Sequence, residues 1–265
     1  MRSSGDRIVR ETPREREFEM ANWNDPQPRP GFGASPSLGG RSAGQASYDI
    51  GLRRHMLSIY NYMASGVLLS GIVAMLFANS GMALQMLNSP LKWLEMLAPL
   101  GFVFAMSFGA NRMKTSTLQM LYWGFCVIMG LSLSTIFLVF TASSIATTFF
   151  ATAAAFAGLS LFGYTTQKDL SGFGTFLLMG VVGILVAMVI NMFVGSTALQ
   201  MGISILGVLI FAGLTAYDTQ MLKNQYYQLR GTEFVGKAVV LGALSLYLDF
   251  INMFQFLLSF LGQRD

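Results

Sequence analysis

Two short stretches of the sequence place carboxylates where hydrocarbon is expected. "GLTAYDTQ", Gly213 to Gln220, closes a run of nearly twenty apolar residues and carries Asp218. Thirty-one residues further on, "LYLDFINMF" carries Asp249 inside a second apolar run. An ionisable group at membrane depth costs about 2.5–3.5 kcal/mol on insertion scales and roughly 10 or more in simulations; those that persist face a cavity, a partner or an ion path. Two carboxylates in contact at low dielectric cannot both ionise cheaply, so they share a proton and titrate as a pair. Stripped of that proton, the pair suits a hard cation, and calcium takes carboxylate, carbonyl and water oxygens. The same chemistry describes a proton-sensitive cation gate and a static hydrogen-bonded dyad.

A hairpin would bring the two acids together. "RGTEFVG" reads as a turn flanked by Gly231 and Gly236,. If one helix continues to about Leu229 and the next starts near Lys237, each aspartate lies 11 or 12 residues from the turn. At 1.5 Å per residue that is ~17 Å, and the carboxylates stand side by side. The last segment adds a polar stripe: Ser245, Asp249, Asn252, Gln255 and Ser259 recur every three or four residues,. Phe250, Met253, Phe254 and Leu257 take much of the remaining surface. A polar stripe on a spanning helix points into protein or water, so this helix is expected at the centre of a bundle.

Three further ionisable groups have a bland reading beside a functional one. Glu95 lies at the outer end of an apolar segment, as a pore-mouth acid or a solvated interfacial one,. Arg112 lies at the inner end, where positive-inside placement explains it, or where it latches a deprotonated aspartate,. His55, beside Arg53 and Arg54, is expected at the interface,.

The elements that position these groups follow from composition. The chain of 265 residues is 53% hydrophobic and 11% charged, less than half the charged share of about a quarter in soluble proteins. Such a chain cannot cover a surface facing water, so its solvent is lipid. Seven apolar segments, near 57–79, 94–111, 117–140, 145–164, 173–194, 198–218 and 238–261, are each close to the ~20 residues that cross hydrocarbon,. They are glycine-rich and aliphatic, which suits membrane helices and not barrel strands. The expected fold is an all-α integral membrane protein of seven transmembrane helices over 48–265. Small residues (Ala153, Ala154, Ala157 and Gly158, then Gly202 and Gly207) are expected where helices approach closely,.

Residues 1–47 are rich in Pro, Gly, Ser and mixed charge and read as a disordered cytoplasmic tail,. With the tail inside, the same side receives Arg112, Lys114, Lys168, Lys223, Arg230 and Lys237, and the other side only Lys92 and Arg264. The positive-inside rule then fixes the N-terminus in the cytoplasm, and seven crossings put the C-terminus outside. The formal charge of +4 is therefore a topology signal, with no nucleic-acid partner implied. A single cysteine, Cys126, excludes an intrachain disulfide, and a single histidine excludes a His-rich metal site,. No cofactor and no resident metal are expected. There is no phosphate loop and no "HExxH", and "AYDT" and "YLDF" do not match the "GxGD" pattern of intramembrane aspartyl proteases. The chain does not read as an enzyme.

"GYTTQKDLSGFG", "FAGLTAYDTQ" and "ALSLYLDFINMFQFLLSFLG", in that order, resemble the Bax inhibitor-1 (TMBIM) family over roughly 45–265, with the short loops of a bacterial member. The resemblance implies six helices around a central seventh, in a bacterial inner membrane. It also implies a pH-sensitive calcium leak whose proton sensor is a pair of aspartates on helices six and seven, here Asp218 and Asp249. Calcium is the implied permeant ion. Acidic and basic residues on helix two correspond by position to Glu95 and Arg112. Some bacterial relatives are similar to modulators of a membrane-bound quality-control protease. The alternative expectation is therefore a non-conducting regulator that binds such a partner.

Overall fold

In the computed structural model, residues 43–263 are described, with side chains for all but 43–49 and 91–96. Most of the expected tail, residues 1–42, lies outside the described residues; the first helix already begins at Ala43. Nine helices follow among the described residues: α1 Ala43–Asn79, α2 Met82–Leu87, α3 Leu91–Gly109, α4 Thr115–Leu133, α5 Ile136–Val139, α6 Ala142–Thr165, α7 Ser171–Val194, α8 Thr197–Leu229 and α9 Phe234–Leu261. Six stretches are long and apolar enough to cross a membrane: Ile50–Asn79, Thr115–Val139, Ala142–Thr165, Ser171–Val194, Thr197–Leu229 and Phe234–Leu261. The chain is an integral membrane protein. The remaining expected segment, 94–111, falls on α3, whose described apolar stretch Leu97–Gly109 is shorter than those six and carries Pro99 inside it.

Local chemistry sets the ends of the helices. At the α7–α8 connection Gly195 takes the left-handed conformation (φ 65°) that closes α7,. Ser196 then caps α8 by accepting from the Leu199 N–H,. Thr141 does the same for α6 through Ser144. The expected segment 117–140 is not one straight helix. Ser134 and Phe137 donate their backbone N–H groups to Leu131 and Ser134, three residues back, which separates α4 from α5,.

Packing is uneven. Helix α8 packs against α9, α7 and α6, while α1 packs against α4 and α9. The most apolar window of α9 is 56% buried, against 11–33% in the other five candidate spans. In lipid, helices associate through close packing and interhelical hydrogen bonds worth about 0.6 kcal/mol each on average. Both are present. A Cβ on Gly163 of α6 would strike the backbone carbonyl of Ala216 on α8, so only glycine allows this approach. Where α1, α4 and α9 meet, Ser70 Oγ lies 2.7 Å from the Cys126 carbonyl and 2.6 Å from the Tyr247 hydroxyl. Ser70 has one proton and gives it to a carbonyl, so Tyr247 is the donor to Ser70. The small-residue face expected on α6 is not the packed one. Of that set Ala153 is half-buried against the core, while Ala154, Ala157 and Gly158 are exposed, and Thr148, Thr152, Phe156, Ser160 and Gly163 face inward. Small hydroxyls on the adjacent stripe permit equal closeness and add hydrogen bonds. On α8, Gly207 meets the Phe256 ring, while Gly202 faces open space.

The connections at one end of the bundle are pinned to α8. Gln220 donates to the Lys168 carbonyl at 2.7 Å and accepts from the Leu170 N–H at 2.9 Å, holding the α6–α7 loop by two adjacent backbone groups. Three residues on, Lys223 donates to the Tyr164 carbonyl at 2.7 Å. Lys237, at the start of α9, reaches the Ala110 carbonyl at the end of α3 at 3.0 Å.

Candidate functional site at the α8–α9 hairpin

Helices α8 and α9 are joined by Arg230–Glu233, with Gly231 at φ 82° supplying the reversal,. Asp218 and Asp249 are both buried, at 8% and 4% exposure. Asp218 Oδ2 accepts a hydrogen bond from the Ser245 hydroxyl of α9. Ser245 and Asp249 stand four residues apart on one helix and so share a face, one turn from each other. The α9 group bonded to Asp218 is therefore Ser245, with Asp249 the next residue along that face. Helix α9 starts at Phe234 and not near Lys237, which moves the centre of the hairpin toward Gly231. The residue level with Asp218 is Ser245, and Asp249 lies one turn, or about 5.4 Å, deeper. Asp249 Oδ2 is buried and has no hydrogen-bond partner in the protein.

Beyond Asp249 the stripe divides. Asn252 is half-buried and donates to the Leu248 carbonyl of its own helix at 2.8 Å. Gln255 is exposed. Ser259 lies 3.4 Å from Gln200 Nε2 and 3.1 Å from the Ser204 hydroxyl, both on α8. Two cavities flank this end. One of about 290 Å³ is lined by Ser132 and Thr135 of the α4–α5 break together with Gln255 and Ser259. The other, about 230 Å³, includes Gln200, Asn252, Gln255 and Ser259. A broken helix at membrane depth is tolerated where it is buried in protein or lines a cavity, and the α4–α5 break lines a cavity of mixed polar and apolar walls,. The opposite surface of α9 is not left to lipid: Phe250, Met253 and Phe254 are all buried.

The remaining sequence candidates do not converge on the pair. Arg112 is exposed at the α3–α4 turn, and among the described residues no ion pair joins it to either aspartate. The Glu95 side chain lies outside the described residues. His55, expected at the interface, is instead 5% exposed. Helix α1 begins twelve residues before it, and the Tyr226 ring of α8 covers it at 5.0 Å between centroids. Spacing did not reveal two contacts beside the pair, Ser160 to Thr219 at 3.4 Å and Phe156 to Phe250, nor a third at the far end of the stripe, Ser204 to Ser259. Each joins segments more than 50 positions apart, and the only trace in the sequence is a hydroxyl or ring at helical spacing within an apolar run.

Among the described residues no group of three or more His, Cys, Asp or Glu side chains gathers as a metal site. Chemically, the hairpin offers two buried carboxylates, one of them bonded to a hydroxyl, with amides and hydroxyls further along α9 beside the cavities.

A family model described as "Inhibitor of apoptosis-promoting Bax1" matches residues 52–265. The chain belongs to the Bax inhibitor-1 family. Both aspartates and every helix from α2 to α9 lie within the match. An uncharacterized protein of Caulobacter vibrioides is 47% identical over 228 residues, 82% of this chain and 91% of that protein. The inner membrane protein YbhL of Escherichia coli K12 is 43% identical over 218 residues, 81% of this chain and 93% of its own length. Protein RP147 of Rickettsia prowazekii is 40% identical over 220 residues, 82% and 93% respectively. This Bax inhibitor-1 family member is therefore similar to bacterial proteins along nearly their whole length.

Proposed function

We propose that this Bax inhibitor-1 family protein is a pH-sensitive, calcium-permeable leak gated by Asp218 and Asp249. The observation that carries the reading is the buried pair itself: Asp218 bonded to Ser245, and Asp249 one turn deeper with an oxygen unpartnered by protein. In this reading α3 completes seven crossings, α9 is the central helix, and the N-terminus faces the cytoplasm of a bacterial inner membrane. Calcium is the cargo and passes as a partly hydrated ion. Ser245, Asn252 and Gln255 mark its route from the pair toward the flanking cavities. A shared proton keeps the pair at low charge, and its loss changes the net charge of the route. Glu95 and Arg112 are assigned to the outer and inner mouths.

Purified protein in liposomes loaded with a calcium dye provides the test, with flux followed across a series of pH values. Wild-type flux is expected to vary with pH. Asp218→Asn combined with Asp249→Asn is expected to flatten that dependence. An unchanged pH profile in the double variant removes the pair from the mechanism. If wild-type liposomes show no flux, and deletion of residues 1–42 abolishes capture of a membrane protease, the regulator reading replaces the leak.

A further inference from the structure

Helices α1 and α6 both pack against α8 and α9, yet they barely touch each other. The seam between them is a cleft of about 530 Å³, within the roughly 300–1,000 Å³ of small-ligand sites,. Its walls are one face of each helix: Met56, Tyr60 and Met63 on α1, and Phe156, Ala157 and Tyr164 on α6. Both helices are candidate membrane spans, so the cleft opens toward lipid. We propose that it binds one anionic phospholipid, with an acyl chain in the seam and the phosphate at Arg53.

Length, volume and charge agree on that occupant. On α1 the lining runs from Arg53 to Ala64, which is about 17 Å at 1.5 Å per residue. That is roughly half of a ~30 Å hydrocarbon core, the depth reached by one acyl chain. A slot of about 530 Å³ has room for a single flexible chain of that length. The polar end is cationic. Arg53 lines it from α1, and Tyr164 lines it from α6 with Lys223 held on its carbonyl. An exposed guanidinium at the end of an apolar slot is suited to a phosphate oxygen pair.

The floor of the slot meets the acid pair. Ser160 lines the cleft and contacts Thr219, the residue after Asp218. Phe156 also lines it and packs edge-on to Phe250, the residue after Asp249, at 5.6 Å. An acyl chain therefore touches the two side chains that support the backbone at both aspartates. Its effect on flux rests on the leak reading; its binding does not.

Native mass spectrometry of the full chain in detergent tests the binding. The probes are phosphatidylglycerol and phosphatidylcholine with identical acyl chains. The expected result is one phosphatidylglycerol retained per chain, at least fivefold over phosphatidylcholine. Arg53→Gln should reduce that preference at least threefold, and Ala157→Phe, which fills the slot, should lower retention of both lipids. Equal retention of the two by wild type overturns the proposal, as does unchanged retention in Ala157→Phe, or a second copy of the chain in place of lipid. If Ala157→Phe does not yield folded protein by gel filtration, Arg53→Gln, on an exposed side chain, still decides. Loss of lipid binding with pH-dependent flux intact sinks this proposal alone; binding without flux sinks the leak alone.

Discussion

Helices α7 and α9 meet opposite surroundings. Helix α7 is the more apolar, with a mean hydropathy of 2.6 over its best window against 1.7 for α9. Yet 11% of that window is buried in α7 and 56% in α9. In water the ordering would be reversed, because the greasier helix would go inside. In lipid the exterior is as apolar as any side chain, so polarity and close packing send a helix inward. Helix α7 shows Phe176, Met179, Met192 and Phe193 to hydrocarbon. Helix α9 carries Tyr247, Ser245 and Asp249 into contact with α1, α4 and α8.

Truncating one aromatic in each helix gives the largest expected contrast. Phe250 of α9 is 4% exposed and packs edge-on against Phe149 and Phe156, so Phe250→Ala should cost about 3–5 kcal/mol,. Phe193 of α7 is 80% exposed, and Phe193→Ala should stay within about 0.5 kcal/mol,. Denaturation in mixed micelles measures both. Equal losses would mean that hydrocarbon contact and protein contact are not different environments for these rings.

Glycine substitutions sharpen the contrast on a smaller scale. Gly163→Ala drives a methyl into the Ala216 carbonyl and should destabilise by about 1–3 kcal/mol, because backbone and not a movable side chain must yield,. Gly183→Ala on α7 meets open space and should stabilise by about 0.5–1 kcal/mol through lower backbone entropy in the unfolded chain,. Thermal shift in a single detergent reads both signs.

How much of this was legible follows the same division. The apolar segments, the α8–α9 hairpin and the presence of acids on both its arms follow from local pattern, because each helix satisfies its own backbone. The one-turn offset did not follow. It depends on α9 beginning at Phe234, three residues earlier than the Gly236–Lys237 signal suggests, and a shift of that size rotates which residue stands level with Asp218. His55 was misread because the ring that buries it, Tyr226, is 171 positions away on another helix. The packed face of α6 was misread because small residues occur on two adjacent stripes, and only the neighbours of α6 select between them.

The smallest effect lies outside the membrane, just before α7. Ser171 donates to Asp169 Oδ1 through its hydroxyl at 2.6 Å and its backbone N–H at 2.9 Å, holding this exposed carboxyl below the usual carboxylate range. With a lowered folded value, its contribution is present above an unfolded carboxylate pKa of about 3.9 and is lost as pH falls through the folded value. Ser171→Ala should move the Asp169 titration upward toward that reference, read by carbon NMR of the carboxyl, without altering detergent stability measurably.

The two grips of Gln220 on the α6–α7 loop have a mechanical consequence. With Lys223 also holding the end of α6, a four-residue window of α8 fastens the adjoining ends of α6 and α7. Axial sliding or rotation of α8 relative to α6 and α7 would have to break these three bonds. The gripping residues begin two positions after Asp218, so that carboxylate stands one short step from the clamp on the α6–α7 loop.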